Sequence, residues 1–209
     1  MRVVIFLGLL VPASLCAAQG SWLYQYPVTF DSLGEQTWVV LGDGNEIELK
    51  YGDPGRLSFH DVKQWTKGEQ LSIAYSSEDG EVLVDPKSSH WIPIAHGPEK
   101  HSIDLIKEAC LEVELTTPGM AGCYLEALGL WELEIQRCYR RLEASLDPEQ
   151  KAKVEEAQRQ WLAFRAAETA AIGAIYIEGT ISQIHRASAV ADLVKQRARD
   201  LQTMIQGGT

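Results

Sequence analysis

Pro93-Ile94-Ala95-His96-Gly97-Pro98 divides the sequence into two periodicities. Prolines and a glycine packed this closely read as a connector. Upstream, from Trp22 to His96, apolar residues alternate with polar ones and turn signals are frequent; downstream, apolar residues recur every three or four positions. A period of two marks half-buried strands and a period near 3.6 marks amphipathic helices. The chain therefore reads as α+β, with a small antiparallel β domain followed by an all-α bundle of about four helices.

In the upstream half, Ile47, Leu49 and Tyr51 alternate with Glu48 and Lys50. The run from Thr37 to Leu41 joins them through Gly42-Asp43-Gly44-Asn45, residues that tolerate the positive φ of a hairpin turn. Leu71, Ile73 and Tyr75 form a second alternating run, Asp79-Gly80 turns the chain, and Val82 and Val84 return. Phe59 to Trp65 fits a short helical turn. Four to six short strands predict a sandwich or a barrel. Trp22, Trp38, Trp65 and Trp91 are read as its small core, with an aromatic binding face as the alternative.

In the downstream half, Ile103 to Cys110 form a first amphipathic stretch. Thr117-Pro118 supplies a cap and a first-turn proline for a second helix reaching about Leu146. Asp147-Pro148-Glu149-Gln150 stops that helix and starts a third, with Asp147 as cap and Gln150 three residues on. The third helix, to about Ile175, is expected to bury Val154, Ala157, Trp161, Phe164 and Ala167–Ala171. Glu178-Gly179-Thr180 breaks it. The last helix carries Ile184, Ala187, Ala191, Leu193, Val194, Ala198 and Leu201 at core spacing.

The first residues are Met-Arg, an apolar run from Val3 to Val11, and the small-residue exit Ala13-Ser14-Leu15-Cys16-Ala17-Ala18. This is the pattern of a secretory signal peptide, too short to span a bilayer. Cleavage is expected after Ala18, with lipid anchoring at Cys16 as the alternative and no transmembrane segment in the mature chain. The expected organisation is a signal peptide at 1–18, a β domain at 19–97 and a helical bundle at 98–209, in the periplasm or secreted. Three cysteines then remain, Cys110, Cys123 and Cys138, enough for one internal bridge and one thiol left over.

The chain has 209 residues and a net charge of −10. An acidic balance excludes nucleic acid as the main partner and disfavours anionic lipid, because both require clustered Lys and Arg. A cationic partner fits better. Residues 19–97 hold 12 acids against 5 bases, while 98–209 hold 17 against 13, so the β half is the more acidic per residue. Its turns at Asp43 and at Glu78-Asp79 are the candidate contacts for a cationic protein.

Catalytic signatures are missing from the sequence: it has no G-x-S-x-G, H-E-x-x-H or phosphate-binding glycine loop. His90, His96 and His101, with Asp85 or Asp104, lack a standard ligand spacing and are read as linker histidines. Glu132 and Glu134 fall on different helix faces and are not a catalytic pair. The expectation is a binding protein without catalytic residues, metal or cofactor.

Cys110, Thr116-Thr117, Met120 and Cys123 are followed in order by Glu132-x-x-Ile135-Gln136-x-x-Tyr139-x-x-Leu142 and Ala157-Gln158-Arg159-x-Trp161-x-x-Phe164-Arg165-x-x-Glu168. Gly179-Thr180 and Arg197-x-x-x-Leu201 complete the series. This order resembles the small secreted helical domain of the LprI-type lysozyme-inhibitor family over about residues 105–203. The Ala-Gln-Arg-x-Trp-x-x-Phe-Arg string is its specific part. The resemblance implies a disulfide between Cys110 and Cys123; the positions of the family's second bridge, Thr169 and the vicinity of Ala189, both lack cysteine. Cys138 is then unpaired and is read as a buried inert thiol. Gln136 stands where the family usually has Asn.

Gln136, Tyr139, Gln158, Arg159, Trp161, Phe164, Arg165, Glu168 and Arg197 are the motif residues, read mainly as structural, with Arg165 and Glu168 paired at i,i+3. The resemblance implies an envelope protein that binds a cationic partner such as a lysozyme or another peptidoglycan hydrolase. The alternatives are a structural or sensory envelope module and an immunity protein against a periplasmic toxin.

Overall fold

Tyr24–Leu33 forms the strand on which the β half closes, β1. It pairs antiparallel with β4 (Gln70–Ser76) through Tyr24 to Thr29 and, beyond Phe30, with β2 (Trp38–Leu41). With β3 (Glu46–Leu49), β5 (Gly80–Asp85) and β6 (His90–His96), the order β1-β2-β3-β6-β5-β4 is a closed barrel. A closed sheet leaves no edge strand to pair with another chain. The computed structural model describes residues 22–51, 57–76, 78–88, 90–97, 100–177 and 179–207. The expected signal peptide, with Cys16 and Ala18, lies outside the described residues, as does Pro98.

Alternation fixes the barrel interior. Tyr26, Val28 and Phe30 on β1 and Leu71 and Ile73 on β4 point inward with Leu41, Ile47, Leu83 and Ile92. The short helix α1 (Phe59–Val62) and Trp65 close one end, where Trp65 packs edge-on against Phe30 at 5.8 Å. Trp65 is thus a core residue. Trp22 and Trp91 instead pack edge-on at 5.7 Å over Ala74, Val82 and Val84, whose strand positions put them on the outer face. The connector reading of 93–98 is corrected over its first four residues, because Pro93 to His96 belong to β6, with Pro93 opposite Val82. The β3–β6 register shifts beside it between Glu48 and Leu49, and Lys50 N–H donates to the Pro93 carbonyl at 2.8 Å. A proline, lacking an N–H, is tolerated at such an irregularity.

At the opposite end the inward rows run on past the sheet. Tyr24 is in register with Tyr75, and Tyr75 with Glu81, so these three ring the barrel mouth. The helices cover that mouth. They are α2 (Ser102–Val113), α3 (Thr117–Ser145), α4 (Pro148–Ile175) and α5 (Thr180–Gly207). Tyr75 is fully buried in the helical core beside Ile103 of α2, Trp131, Ile135 and Leu142 of α3, and Val194, Ala198 and Leu201 of α5. Alanines at 187, 191 and 198 let α5 approach α3 closely.

The helix ends follow local chemistry. Asp147 and Gln150 form the expected capping box, with Gln150 N–H donating to Asp147 Oδ1 at 2.8 Å and Asp147 N–H to Gln150 Oε1 at 3.0 Å. The cap of α3 is Thr116, one residue before the expected Thr117; its Oγ1 accepts from Gly119 N–H at 3.1 Å.

The expectation for α4 is overturned: it has no buried residue. Phe164 is 51 % exposed, and Ala166 to Ala171 all face solvent. The mouth-facing and mutual contacts of α2, α3 and α5 fill the core without it. Alanines on every side of α4 blur its apolar stripe, while their helix propensity and the capping box sustain it without burial.

Candidate functional site

Three helices converge on the motif residues. Gln136, Tyr139 and Arg140 lie one turn apart on α3, and Gln158, Trp161 and Arg165 on the inner face of α4. Gln158 Oε1 accepts from Arg197 Nε at 3.3 Å and Nη2 at 3.0 Å, joining α4 to α5. The Trp161 ring is flanked by the Arg165 and Arg197 guanidinium groups, each 5.8 Å from its centroid. Arg165 donates to Glu132 of α3. Ile135, Gln136, Tyr139, Arg140 and Gln158 line a cleft of about 320 Å³ between α3 and α4. Burial raises the Tyr139 hydroxyl pKa, with the Glu143 and Glu155 charges adding to it. Burial also lowers the Arg197 pKa.

Three motif residues stand apart from this cluster. Phe164 points to solvent. Arg159 is exposed and pairs with Glu156. Glu168 is exposed and does not pair with Arg165, whose carboxylate partner is Glu132 across the helix gap. The expected i,i+3 pair is corrected because Arg165 lies on the inner edge of α4, where the α3 carboxylate and the Trp161 face are both in reach.

The acidic turns emerge at the same end of the barrel, the end where the chain enters α2. The strand order separates the β2–β3 and β4–β5 hairpins by β1 on one side and β6 on the other, so they do not adjoin. Asp43 is exposed and bonds within its turn, accepting from Asn45 N–H at 3.0 Å. Glu78 is exposed and Asp79 half-buried, with Asp79 N–H donating to Ser76 Oγ at 2.9 Å.

Sequence reasoning missed a polar junction between barrel and helices. Glu134 of α3 is fully buried and accepts from Tyr75 Oη at 2.5 Å, Arg137 Nε at 2.8 Å, Gln202 Nε2 at 2.7 Å and Cys138 Sγ at 3.3 Å. Burial alone would raise its pKa; the Arg137 bonds and charge, helped by His101 and Tyr75, hold it at about 2. Burial and the Glu134 charge push the Cys138 thiol up to about 12, in keeping with an inert buried thiol.

Beside this cluster, Glu81 accepts from Ser102 N–H at 2.7 Å and from its hydroxyl, and Tyr24 Oη lies 2.5 Å from Ser102 Oγ. Asp104 joins α2 to α5 through Lys195 at 2.7 Å. The signal for this junction was the unbroken Tyr24-Tyr26-Val28-Phe30 alternation and a glutamate at a core position of α3.

Cys110 and Cys123 are bonded, with Cα atoms 5.7 Å apart, tying the end of α2 to the start of α3. His90 and His96 occupy opposite ends of β6, while His101 caps α2, its Nδ1 accepting from Ile103 N–H at 3.2 Å. Among the described residues, no group of His, Cys, Asp and Glu is arranged to hold a metal ion, and no helix is long and apolar enough to cross a membrane.

A curated relative, the intermembrane lipid transfer protein VPS13 of Chaetomium thermophilum, is 30 % identical over 138 residues, 62 % of this chain. The chain spans about 4 % of that protein's length. A crystal structure of an uncharacterized protein from Burkholderia thailandensis is 28 % identical, with a TM-score of 0.47, covering 51 % of this chain and 55 % of that one. The family model described as Lysozyme inhibitor LprI matches residues 110–201. That segment runs from the disulfide through the motif cluster to Leu201, and over it the chain is similar to the LprI family.

Proposed function

We propose that this chain is a secreted or periplasmic binding protein that inhibits a lysozyme-type peptidoglycan hydrolase. The observation that carries this reading is the LprI match over residues 110–201. The net charge of −10 supports a cationic partner, because opposite charge speeds encounter and selects against acidic competitors. In this reading residues 1–18 are a leader removed after Ala18, residues 19–97 and 98–209 are two units, and the Asp43 and Glu78-Asp79 turns contact the partner. The shared junction through Tyr75 and Glu134 favours the two units presenting one surface. The motif residues and the Cys110–Cys123 bridge hold the helices in place.

A cell-wall clearing assay tests the proposal. Purified mature protein, added to a lysozyme digesting a bacterial wall suspension, is expected to slow the loss of turbidity in proportion to its concentration. Undiminished clearing at a large molar excess of the protein overturns the reading.

A further inference from the structure

Arg197 is half-buried, and among the described residues no carboxylate lies within ion-pair distance of it. Arg165, its neighbour on the other side of Trp161, differs: it holds Glu132. In direct contact Arg197 has the neutral amide oxygen of Gln158 and the face of Trp161, while Asp200 acts on it only from beyond ion-pair distance. A guanidinium taken partly out of water is best matched by a carboxylate, which accepts two of its N–H groups side by side. Burial depresses the Arg197 pKa, the mark of a cation without full compensation.

Gln158 is also a wall of the cleft between α3 and α4, so the space opens beside the group that Arg197 holds. At about 320 Å³ the cleft is at the small end of ligand sites, which run from about 300 Å³ upward. Its lining combines the apolar side chain of Ile135, the ring of Tyr139, the amides of Gln136 and Gln158, and the exposed cation Arg140. Amides match peptide groups, and Arg197, which stands behind Gln158 rather than in the lining itself, matches an anion that displaces the Gln158 oxygen.

We propose that this cleft binds a short peptide through its carboxylate, with Arg197 as the anchoring charge and Gln136 and Gln158 as contacts to the peptide amides. The incoming carboxylate takes the place of Gln158 Oε1 on the guanidinium, and the freed Gln158 amide turns its NH₂ toward the same anion. The ligand is anionic where a lysozyme-type partner is cationic, so this site is independent of the inhibitory surface and stands or falls separately from it. A terminal carboxylate and the side-chain carboxylate of an acidic residue offer the same chemistry.

The test is an NMR titration of the full mature chain with N-acetyl-alanyl-alanine, its C-terminal amide and N-acetyl-aspartic acid amide. The free acid is expected to shift the Trp161 indole and the Gln136 and Gln158 side-chain signals saturably, and the amide to bind at least about tenfold more weakly. Comparable shifts with the aspartic acid derivative assign the side-chain carboxylate as an equal ligand; their absence restricts the site to peptide termini. Arg197→Gln is expected to weaken binding of the acid about tenfold, and Arg197→Lys to restore part of it. Equal binding of acid and amide, undiminished binding by Arg197→Gln, or no shifts at the cleft up to about 10 mM of any probe overturns the proposal. The acid-against-amide comparison needs no variant, so it decides even if Arg197→Gln fails to fold.

Discussion

Tyr75, at the mouth of the barrel, donates a 2.5 Å hydrogen bond to Glu134, the fully buried carboxylate in the middle of α3. The bond spans 59 positions in sequence and fastens the β half to the helices through a group that cannot be left unpaired. Tyr75→Phe removes one donor and is expected to cost about 1–3 kcal/mol. Glu134→Gln leaves Arg137 buried without its counter-charge and is expected to cost about 3–5 kcal/mol. Urea unfolding of both single variants and the double variant measures this. A double variant whose loss equals the sum of the singles would show that the two residues do not act as a unit.

Stability is expected to fall on both sides of neutral pH. Glu134 titrates at about 2 when folded against an ordinary 4.5, and Asp104 is likewise held low, by Lys195 and Lys107 against the opposing effect of burial. Their contribution is present above the ordinary value and is lost as pH falls through the folded one. Burial raises Cys138 from 9.0 to about 12, and raises Tyr75 and Tyr24 well above 10. Those contributions are full below the ordinary values and are lost as pH rises through the folded ones. Melting temperature against pH should therefore show a plateau at about pH 5–8. Glu134→Gln should flatten the acid limb; an unchanged acid limb in that variant would contradict the assignment.

Cys110 and Cys123 are 13 positions apart, and closing a loop of that length is worth about 3 kcal/mol through the unfolded state. The Cys110→Ser, Cys123→Ser double variant should lose about that much in urea unfolding, with α2 the first element to lose amide-exchange protection. Cys138→Ala should leave the bridge intact, as a thiol count under denaturing conditions would show.

The inner and outer faces of α4 should respond differently. Phe164→Ser, at a position 51 % exposed, is expected to change stability by less than about 0.5 kcal/mol. Trp161→Ala removes a half-buried ring packed against the helical core and should cost about 1–3 kcal/mol. Equal losses from the two would mean that the outer face of α4 is covered in solution.

Features set by neighbouring residues were legible in the sequence. The Asp147–Gln150 capping box, the alternating hairpins and the α5 stripe of Ala187, Ala191, Val194, Ala198 and Leu201 all depend on spacings of a few positions. Of the motif residues, Gln136, Tyr139, Gln158, Trp161, Arg165 and Arg197 come together where α3, α4 and α5 meet. Phe164 could not be placed on its face because the alanines around it make α4 nearly isotropic in hydrophobicity. Glu81 looks like an ordinary surface charge, and the core spacing of Glu134 names no partner, until the register sets Glu81 beside Tyr75 and the helices close over both. Such pairings join residues dozens of positions apart, and no local period encodes them.

The most direct test of the central reading is calorimetric titration of the mature protein into a lysozyme at low and at physiological salt. The inhibitor reading predicts a saturating heat of binding that weakens as salt screens the acidic surface. No heat of binding at low salt, where the attraction between the two charges is greatest, would contradict it.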